Sequence, residues 1–488
     1  MLYKQMQEEG CGSNHLAFVI LLQAYGALAD NKKHHISQEM SIMSGKSIGL
    51  EIGKALHADA YKKPMCSSNA LLRNTLMVMY SKCGAIEASL RVFSILPERV
   101  ATSWNTMLSA HFGHGQAREC LLLYKEMQKD GVSPDELTFS IAFQACGLLI
   151  EEESCALKVM CPEITQALHS DACLKNYERD VFVGTALISV YGKLGYMLEA
   201  ENVFSLLSCR DVVTWTAMIS AHVEHEQGER ALQLYMQMES NGTTPNHLTY
   251  IVGFQACSIL AEKQEALDVK GRSMKMISLE IGQGLHVDAC LRGFTSDLLV
   301  RTAILCMYGK CGRIIEAENV FNGALIHVRD AVSWNAMLSI YSMQGHGKRA
   351  LVLFCEMKEK LVMPDKSTFV SVLAACCHCG LLEEGHKYFK SMQQDYGISP
   401  VLDHYVCMID LFGRAGQLDM ALEIVAKAPC CPNMFMWAAI LGACRKWNKV
   451  DLARNAFEHA MPMGEKEVGA YICMLNIYGQ DDRMPKQE

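Results

Sequence analysis

Three patterns in this chain carry residues that bind metals or move protons. Cys376, Cys377, His378 and Cys379 stand together, and thiolate with imidazole is a ligand set that zinc favours. A structural zinc site needs a second pair at finger spacing, and none follows. A lone C-x-x-C in an apolar helical phrase reads as core packing. His222-Val223-Glu224 has the H-x-E form of zinc deaminases, but no P-C-x-x-C follows it. His57, His169 and His286 recur in the phrases LHADA, LHSDA and LHVDA, with Asp59, Asp171 and Asp288 two residues on. A catalytic group does not need three equivalent copies, so these positions read as structural. Glycine-rich phosphate loops, nucleophile elbows and paired catalytic carboxylates are absent from the sequence. The expectation is a chain with no catalytic residue, no metal and no cofactor.

That threefold recurrence points to the elements behind it. Trp104, Trp215 and Trp334 sit in SWNTMLSAH, TWTAMISAH and SWNAMLSIY, 111 and then 119 residues apart. MYSKCG (79–84), VYGKLG (190–195) and MYGKCG (307–312) keep the same beat. A chain that restates itself is a stacked array, because each unit buries its apolar face only against its neighbours. Within the long period lie units of about 31 to 35 residues. In 212–246, Trp215, Met218, Ile219 and His222 fall at helical spacing. Gln227-Gly228 breaks that pattern, and a second helical run carries Ala231, Leu232, Leu234, Tyr235 and Met238 before Gly242 and Pro245 end it. The predicted fold is all-α: a right-handed superhelical α-solenoid of stacked helix-turn-helix hairpins.

Bulk properties narrow the partners. Half of the 488 residues are hydrophobic and 20% are charged, so the chain is ordered. A net charge of -8 argues against indiscriminate attraction to nucleic acid or anionic membrane. The 22 cysteines recur inside apolar phrases such as FQACG (143–147) and FQACS (254–258), as small core residues of a reducing compartment do. No apolar run approaches the length of a membrane span.

These phrases and their unit lengths closely resemble a pentatricopeptide repeat protein of the plant organellar P-L-S subclass, whose repeats alternate long, short and normal units. On that resemblance, L units occupy 15–69, 136–180, 247–297 and 366–401, S units 70–100, 181–211, 298–330 and 402–433, and P units 101–135, 212–246 and 331–365. Residues 1–14 read as the end of a truncated repeat, since LYKQMQEEG (2–10) matches LYKEMQKDG (123–131) at six of nine positions. Residues 434–480 resemble the E motif, incomplete at its end, and 481–488 form a tail. The extra residues of the three lengthened L units read as a loop or extended turn between their two helices. The DYW deaminase domain of some members is not found in this sequence.

The resemblance implies an RNA-binding protein of a mitochondrion or chloroplast that specifies a C-to-U editing site and recruits a DYW-type deaminase or other editing factors in trans through its E region. Occupancy-based stabilisation, processing or splicing of a transcript is an alternative, as is a protein-binding scaffold like tetratricopeptide arrays. One base per helical repeat is a known mode of RNA readout. In the family the fifth and last residues of a unit carry it. Carried over, the pairs are Asn105 with Asp135 (uracil), Thr185 with Asp211 (guanine), Thr216 with Asn246 (adenine), Thr302 with Asp330 (guanine) and Asn335 with Asp365 (uracil). Asn74, next to Val100, and the Ser140–Asp180 pair are weaker candidates, while Val19 with Asn69 and Ile251 with Asp297 receive no base. Phe182, Val213, Leu299 and Val332 would flank bases, and Thr102 departs from that apolar pattern. Taken singly, each Asn, Asp or Thr could instead serve a helix start.

Overall fold

The computed structural model describes residues 15–30, 39–62, 69–151, 159–263, 274–323, 330–428, 433–460 and 468–481. These residues form α-helices joined by short turns and contain no strand. The chain divides into two units, 1–244 and 245–488.

In the first unit the helices pair as hairpins: α1 (His15–Asp30) with α2 (Glu39–Tyr61), α3 (Ala70–Lys82) with α4 (Ile86–Ser94), α5 (Ala101–Gly113) with α6 (Ala117–Lys129), α7 (Glu136–Glu151) with α8 (Cys161–Leu174), α9 (Val181–Leu194) with α10 (Met197–Leu206), and α11 (Val212–Glu224) with α12 (Gly228–Ser240). The second unit continues the pattern: α13 (His247–Glu262) with α14 (Met274–Leu291), α15 (Leu298–Lys310) with α16 (Ile314–Gly323), α17 (Ala331–Met343) with α18 (Gly347–Glu359), α19 (Lys366–Cys379) with α20 (Leu382–Gln394), α21 (Leu402–Arg414) with α22 (Leu418–Lys427), and α23 (Met434–Trp447) with α24 (Val450–Ala460), before α25 (Val468–Asp481). Within each unit the first helix of a hairpin also packs on the first helix of the next, as α9 does on α7 and α11. First helices thus make one layer and second helices another, the arrangement of a solenoid.

Local sequence explains why each hairpin starts, turns and stacks. Asp180 precedes α9 in an extended conformation and its carboxylate accepts from the backbone N–H of Phe182 and Val183, two of the donors that a helix start leaves unpaired. Gly195 ends the same helix at φ +79, a left-handed conformation that costs glycine little. The recurrent tryptophan is the stacking residue. Trp104, Trp215 and Trp334 are at most 2% exposed and meet Phe93, Phe204 and Phe321 of the preceding hairpin edge to face, at 4.8, 4.9 and 5.2 Å between ring centroids. Such pairs contribute roughly 0.5–1.5 kcal/mol beyond the area they bury. Neighbouring first helices also approach closely: a Cβ built on Gly192 of α9 would lie 2.6 Å from the Ala221 Cβ of α11. At that point only a hydrogen atom fits.

The expected loops within the long units fall largely on 31–38, 152–158 and 264–273, outside the described residues. Some of the added length is helix rather than loop. The second helices α2 and α14 run for 23 and 18 residues, against 13 in α6. Residues 1–14, expected to end a repeat, and the expected tail lie outside the described residues, apart from Asp481 at the end of α25. Helices α23 to α25 share one apolar core with the hairpins before them, running from Leu373 through Met408, Phe412 and Ile440 to Ile477. The end of this unit is therefore continuous with the array.

Candidate nucleic-acid interface

In nine described hairpins the residue before the first helix caps it, Asn69 on the N–H of Leu72 and Asn433 on that of Met436 among them. The other seven, Asp135, Asp180, Asp211, Asn246, Asp297, Asp330 and Asp365, likewise accept a backbone N–H from the turn that follows. Capping is thus a real function of these positions. It is not the only one for Asp135 and Asp365, because a side chain from the preceding hairpin reaches each of them.

Asn105 lies in the second turn of α5, and its Nδ2 donates to Asp135 Oδ1 at 2.8 Å and Oδ2 at 2.9 Å. Asn335 in α17 repeats the arrangement on Asp365, at 3.0 Å to both oxygens. Thirty residues separate the partners in each case, the length of one hairpin. The carboxylate can only accept, so it fixes which end of each amide faces it. The amide oxygen on the other side accepts from a hydroxyl of the next helix: Thr138 Oγ1 on Asn105 Oδ1, and Thr368 Oγ1 on Asn335 Oδ1, both at 2.6 Å. Burial opposes ionisation of Asp135, but hydrogen bonds from the Thr138 N–H, Asn105 and the Thr138 hydroxyl outweigh it and lower the pKa. Asn105 and Asp135 line an open groove of 590 Å³ together with Thr102, Thr106, Lys82, Glu136 and Leu137. Asn105 is only 4% exposed, so whatever it meets must come down into that groove. Asn335 is more accessible and Asp365 is exposed.

The threonine positions differ among themselves. Thr185 Oγ1 lies 2.8 Å from Thr214 Oγ1, and Thr214 in turn donates to Asp211 Oδ1 at 2.8 Å. Asp211 therefore reaches Thr185 through a hydroxyl rather than directly. Thr216 and Thr302 donate back to their own helices, to the carbonyls of Val212 at 2.7 Å and Leu298 at 2.9 Å. Asn246 and Asp330 sit at the caps of α13 and α17, bonded to Thr249 and Ser333. Asn74 accepts from Ser103 Oγ at 3.1 Å, whereas Val100 caps α5 without a side-chain bond. Ser140 is buried, and Asp180 is committed to its cap.

Phe182, Val213, Leu299 and Val332 stand 70%, 54%, 60% and 52% exposed at the second residue of their helices. Large apolar side chains do not stay that open for the sake of the core. Leu71, Leu137 and Leu248 share this register and exposure, although the sequence singles out none of them; counting residues from each cap would have found all three. Thr102 is exposed at the same register. Thr138, Thr214 and Thr368 were also passed over, despite D-x-x-T being a helix-start signature.

The other chemical candidates resolve into packing. His57, His169 and His286 bond through Nδ1 to the hydroxyls of Tyr80, Tyr191 and Tyr308 at 2.8, 2.8 and 2.9 Å. Burial lowers the pKa of all three histidines. Asp171 and Asp288 accept from Tyr124 and Tyr250. His222 is buried on Gln227 Oε1 at 2.7 Å while Glu224 faces outward. Cys376 is buried with its thiol pushed up to about 12 by burial. Cys377 donates to Asp410 Oδ2 at 2.9 Å and His378 is exposed. Among the described residues no cluster of three such side chains converges on a metal position, and no helix is long and apolar enough to cross a membrane.

With this geometry in view, comparison with known proteins places the chain. Residues 99–147, 210–258 and 329–378 match the PPR repeat family, and 185–212, 301–323, 367–396 and 403–427 match the PPR repeat. Among curated Arabidopsis thaliana proteins, the chloroplastic pentatricopeptide repeat-containing protein CRR2 is 33% identical over 84% of this chain and 59% of its own length. The mitochondrial pentatricopeptide repeat-containing protein At2g03880 is 32% identical over 96% of this chain and 68% of its own length. Pentatricopeptide repeat-containing protein At2g33680 is 33% identical over 90% and 56%, so the chain spans little more than half the length of several such relatives. The crystal structure of the pentatricopeptide repeat protein PPR10 in complex with an 18-nt psaJ RNA element has the same fold, with a TM-score of 0.64 at 16% identity, over 99% of this chain and 68% of that one. The repeated hairpins, their tryptophan stacking and these relatives agree: the chain belongs to the pentatricopeptide repeat family.

Proposed function

We propose that this protein binds single-stranded RNA in a sequence-specific way, one nucleotide per hairpin, and marks a cytidine for C-to-U conversion by a deaminase supplied in trans. The observation that carries the reading is the repeated clamp of Asn105 on Asp135 and Asn335 on Asp365. A single Asn–Asp contact has many explanations; the same fork in two hairpins, each with the same third hydroxyl, has few. Exposed apolar residues beside these positions offer faces on which bases stack, at roughly 1–3 kcal/mol each for aromatic platforms. The net charge of -8 leaves little general attraction for phosphate, so affinity has to come from such local contacts.

Under the P-L-S assignment of units, with the N-terminus toward the 5′ end, the five pairs specify U-x-G-A-x-G-U-x-x, followed by three nucleotides and then the edited cytidine. Five fixed bases recur by chance about once per thousand nucleotides, so further repeats contribute to specificity. The E-like hairpin α23–α24 and helix α25 would dock the deaminase or another editing factor, and Phe435, Tyr471, Ile472 and Leu475 are exposed there. The CRR2 and At2g03880 relatives carry chloroplastic and mitochondrial names, which supports an organellar site of action. The test is fluorescence anisotropy with RNA in this register against permuted sequences of equal composition, joined to transcript sequencing after loss of the gene. Equal affinity for permuted RNA would remove the base assignments. Unchanged cytidine conversion in every organellar transcript would remove the editing role.

A further inference from the structure

The carboxylate at each cap does not act on the base-facing side chain alone. We infer that Thr138, Thr214 and Thr368, each three residues after a cap, are positioning residues that set which hydrogen-bonding group Asn105, Thr185 and Asn335 show to a base. The inference rests on the proposed RNA reading and names a third participant in it.

Proton accounting gives the direction. Asn105 Oδ1 and Asp135 Oδ1 can only accept, and they sit 2.6 and 2.8 Å from Thr138 Oγ1, so the one hydroxyl proton is divided between them, with the amide oxygen the nearer acceptor. The same holds for Thr368, 2.6 Å from Asn335 Oδ1 and 3.0 Å from Asp365 Oδ1. Each amide is then held at both ends, nitrogen on the carboxylate and oxygen on the hydroxyl. The two oxygens of one carboxyl subtend too narrow an angle to engage both amide hydrogens, so one N–H and one carbonyl lone pair are left for a base. Uracil offers an acceptor at O4 beside a donor at N3, and cytosine offers the reverse. An amide held in one orientation fits one of these pyrimidines, and an amide free to flip fits both.

Thr214 works by a different transfer of the same kind. Its hydroxyl proton goes to Asp211 Oδ1, because an ionised carboxylate cannot donate. The 2.8 Å contact with Thr185 must then be supplied by the Thr185 proton. Thr185 is left with lone pairs only, which suit the N1–H of guanine and repel the N1 lone pair of adenine. Ser333 bonds Asp330 while Thr302 bonds Leu298, so the inference is confined to the three threonines.

The decisive experiment uses Thr214→Val in the full chain, with RNAs carrying guanine or adenine at the nucleotide facing Thr185. Removing the hydroxyl frees the Thr185 proton, so affinity for the adenine RNA should rise about threefold or more while affinity for the guanine RNA falls. A residue that only stabilises the helix start cannot raise affinity for any RNA. Thr138→Val, read with uracil and cytosine RNAs, should lose about fivefold of its preference at that nucleotide alone, and Thr138→Ser should restore it. If wild-type protein discriminates and both valine variants keep its ratios, or weaken every RNA equally, the inference fails by itself. If wild-type protein shows no base preference at these nucleotides, the RNA reading fails and takes the inference with it.

Discussion

Asp135→Asn separates the two tasks of a cap residue. Asparagine caps helices as well as aspartate does, and Asn246 already caps α13 of this chain by accepting from Thr249 N–H at 3.0 Å. The variant should therefore melt within about 0.5 kcal/mol of wild type, as a substitution that keeps its cap bond does. What it removes is the fixed polarity of Asn105. In the wild type, flipping that amide would exchange an N–H on the carboxylate, at 2.8 and 2.9 Å, for an oxygen facing an oxyanion. A hydrogen bond to a charged group is worth about 1.5–3 kcal/mol, which is roughly a 10- to 150-fold bias toward one orientation. With asparagine at 135 either amide can turn, and only the Thr138 bond of about 1 kcal/mol resists, a bias of about fivefold. The expected result is a fall in uracil-over-cytosine preference at one nucleotide, from at least about tenfold to about fivefold or less, with other positions unchanged. Anisotropy titrations of two RNAs differing at that nucleotide, at one salt concentration, read it directly. A variant that keeps the full preference, or that loses both RNAs equally, would refute the claim that the carboxylate acts by orienting the amide.

Trp104→Ala should destabilise its neighbourhood by about 3–5 kcal/mol, seen as early melting of amides in α4 to α6 by hydrogen exchange, because a repeat array fails locally. Trp104→Phe should cost far less, since the buried indole N–H makes no hydrogen bond and the edge contact with Phe93 needs only a ring. Burial holds His57, His169 and His286 below their usual pKa, so the unfolded chain takes protons first as pH falls. Their contribution is therefore complete above about pH 6.5 and is lost as pH drops through the lowered folded values; the melting temperature should fall between pH 6.5 and 5, and replacing all three with glutamine should flatten that slope. Adding zinc should leave the melting temperature unchanged and Cys377→Ser should not alter that outcome, because Cys376 to Cys379 do not converge on a metal position; a zinc-dependent rise abolished by the serine would overturn this.

What the sequence made legible was periodic. Tryptophans in copied phrases announce a stack because their partners, Phe93, Phe204 and Phe321, recur at the same beat. The turns were legible because Gly195 and Gly242 are needed at positive φ. The tyrosine partners of the recurrent histidines are not legible in the sequence: His57 and Tyr80 are 23 residues apart, and nothing local couples them. The threonine relays were hidden for the same reason. A D-x-x-T phrase announces a cap, yet the 33-residue reach from Thr138 back to Asn105 exists only after hairpins stack. Exposure was the least legible property, since Asn105 at 4% and the more open Asn335 occupy the same register.

The shared use of one residue for capping and for positioning a neighbour limits what a hairpin of this kind can specify. The last position of a hairpin must satisfy the first N–H groups of the next helix, which favours Asp, Asn, Ser and Thr and costs about 1 kcal/mol when an apolar residue replaces them. Any base alphabet written there is drawn from helix caps. The chain breaks this rule at Val401 and at Val100; at Val100, α5 starts without a side-chain cap, and Asn74 falls to Ser103 as its partner, at 3.1 Å. With no carboxylate beside it, that amide has one hydroxyl to hold it instead of a carboxylate and a hydroxyl. Asn74 should then prefer uracil by no more than about fivefold, and converting Val100 to aspartate should both stabilise α5 and raise that preference to at least about tenfold. Stability and specificity rise together in that substitution because a single carboxylate supplies both.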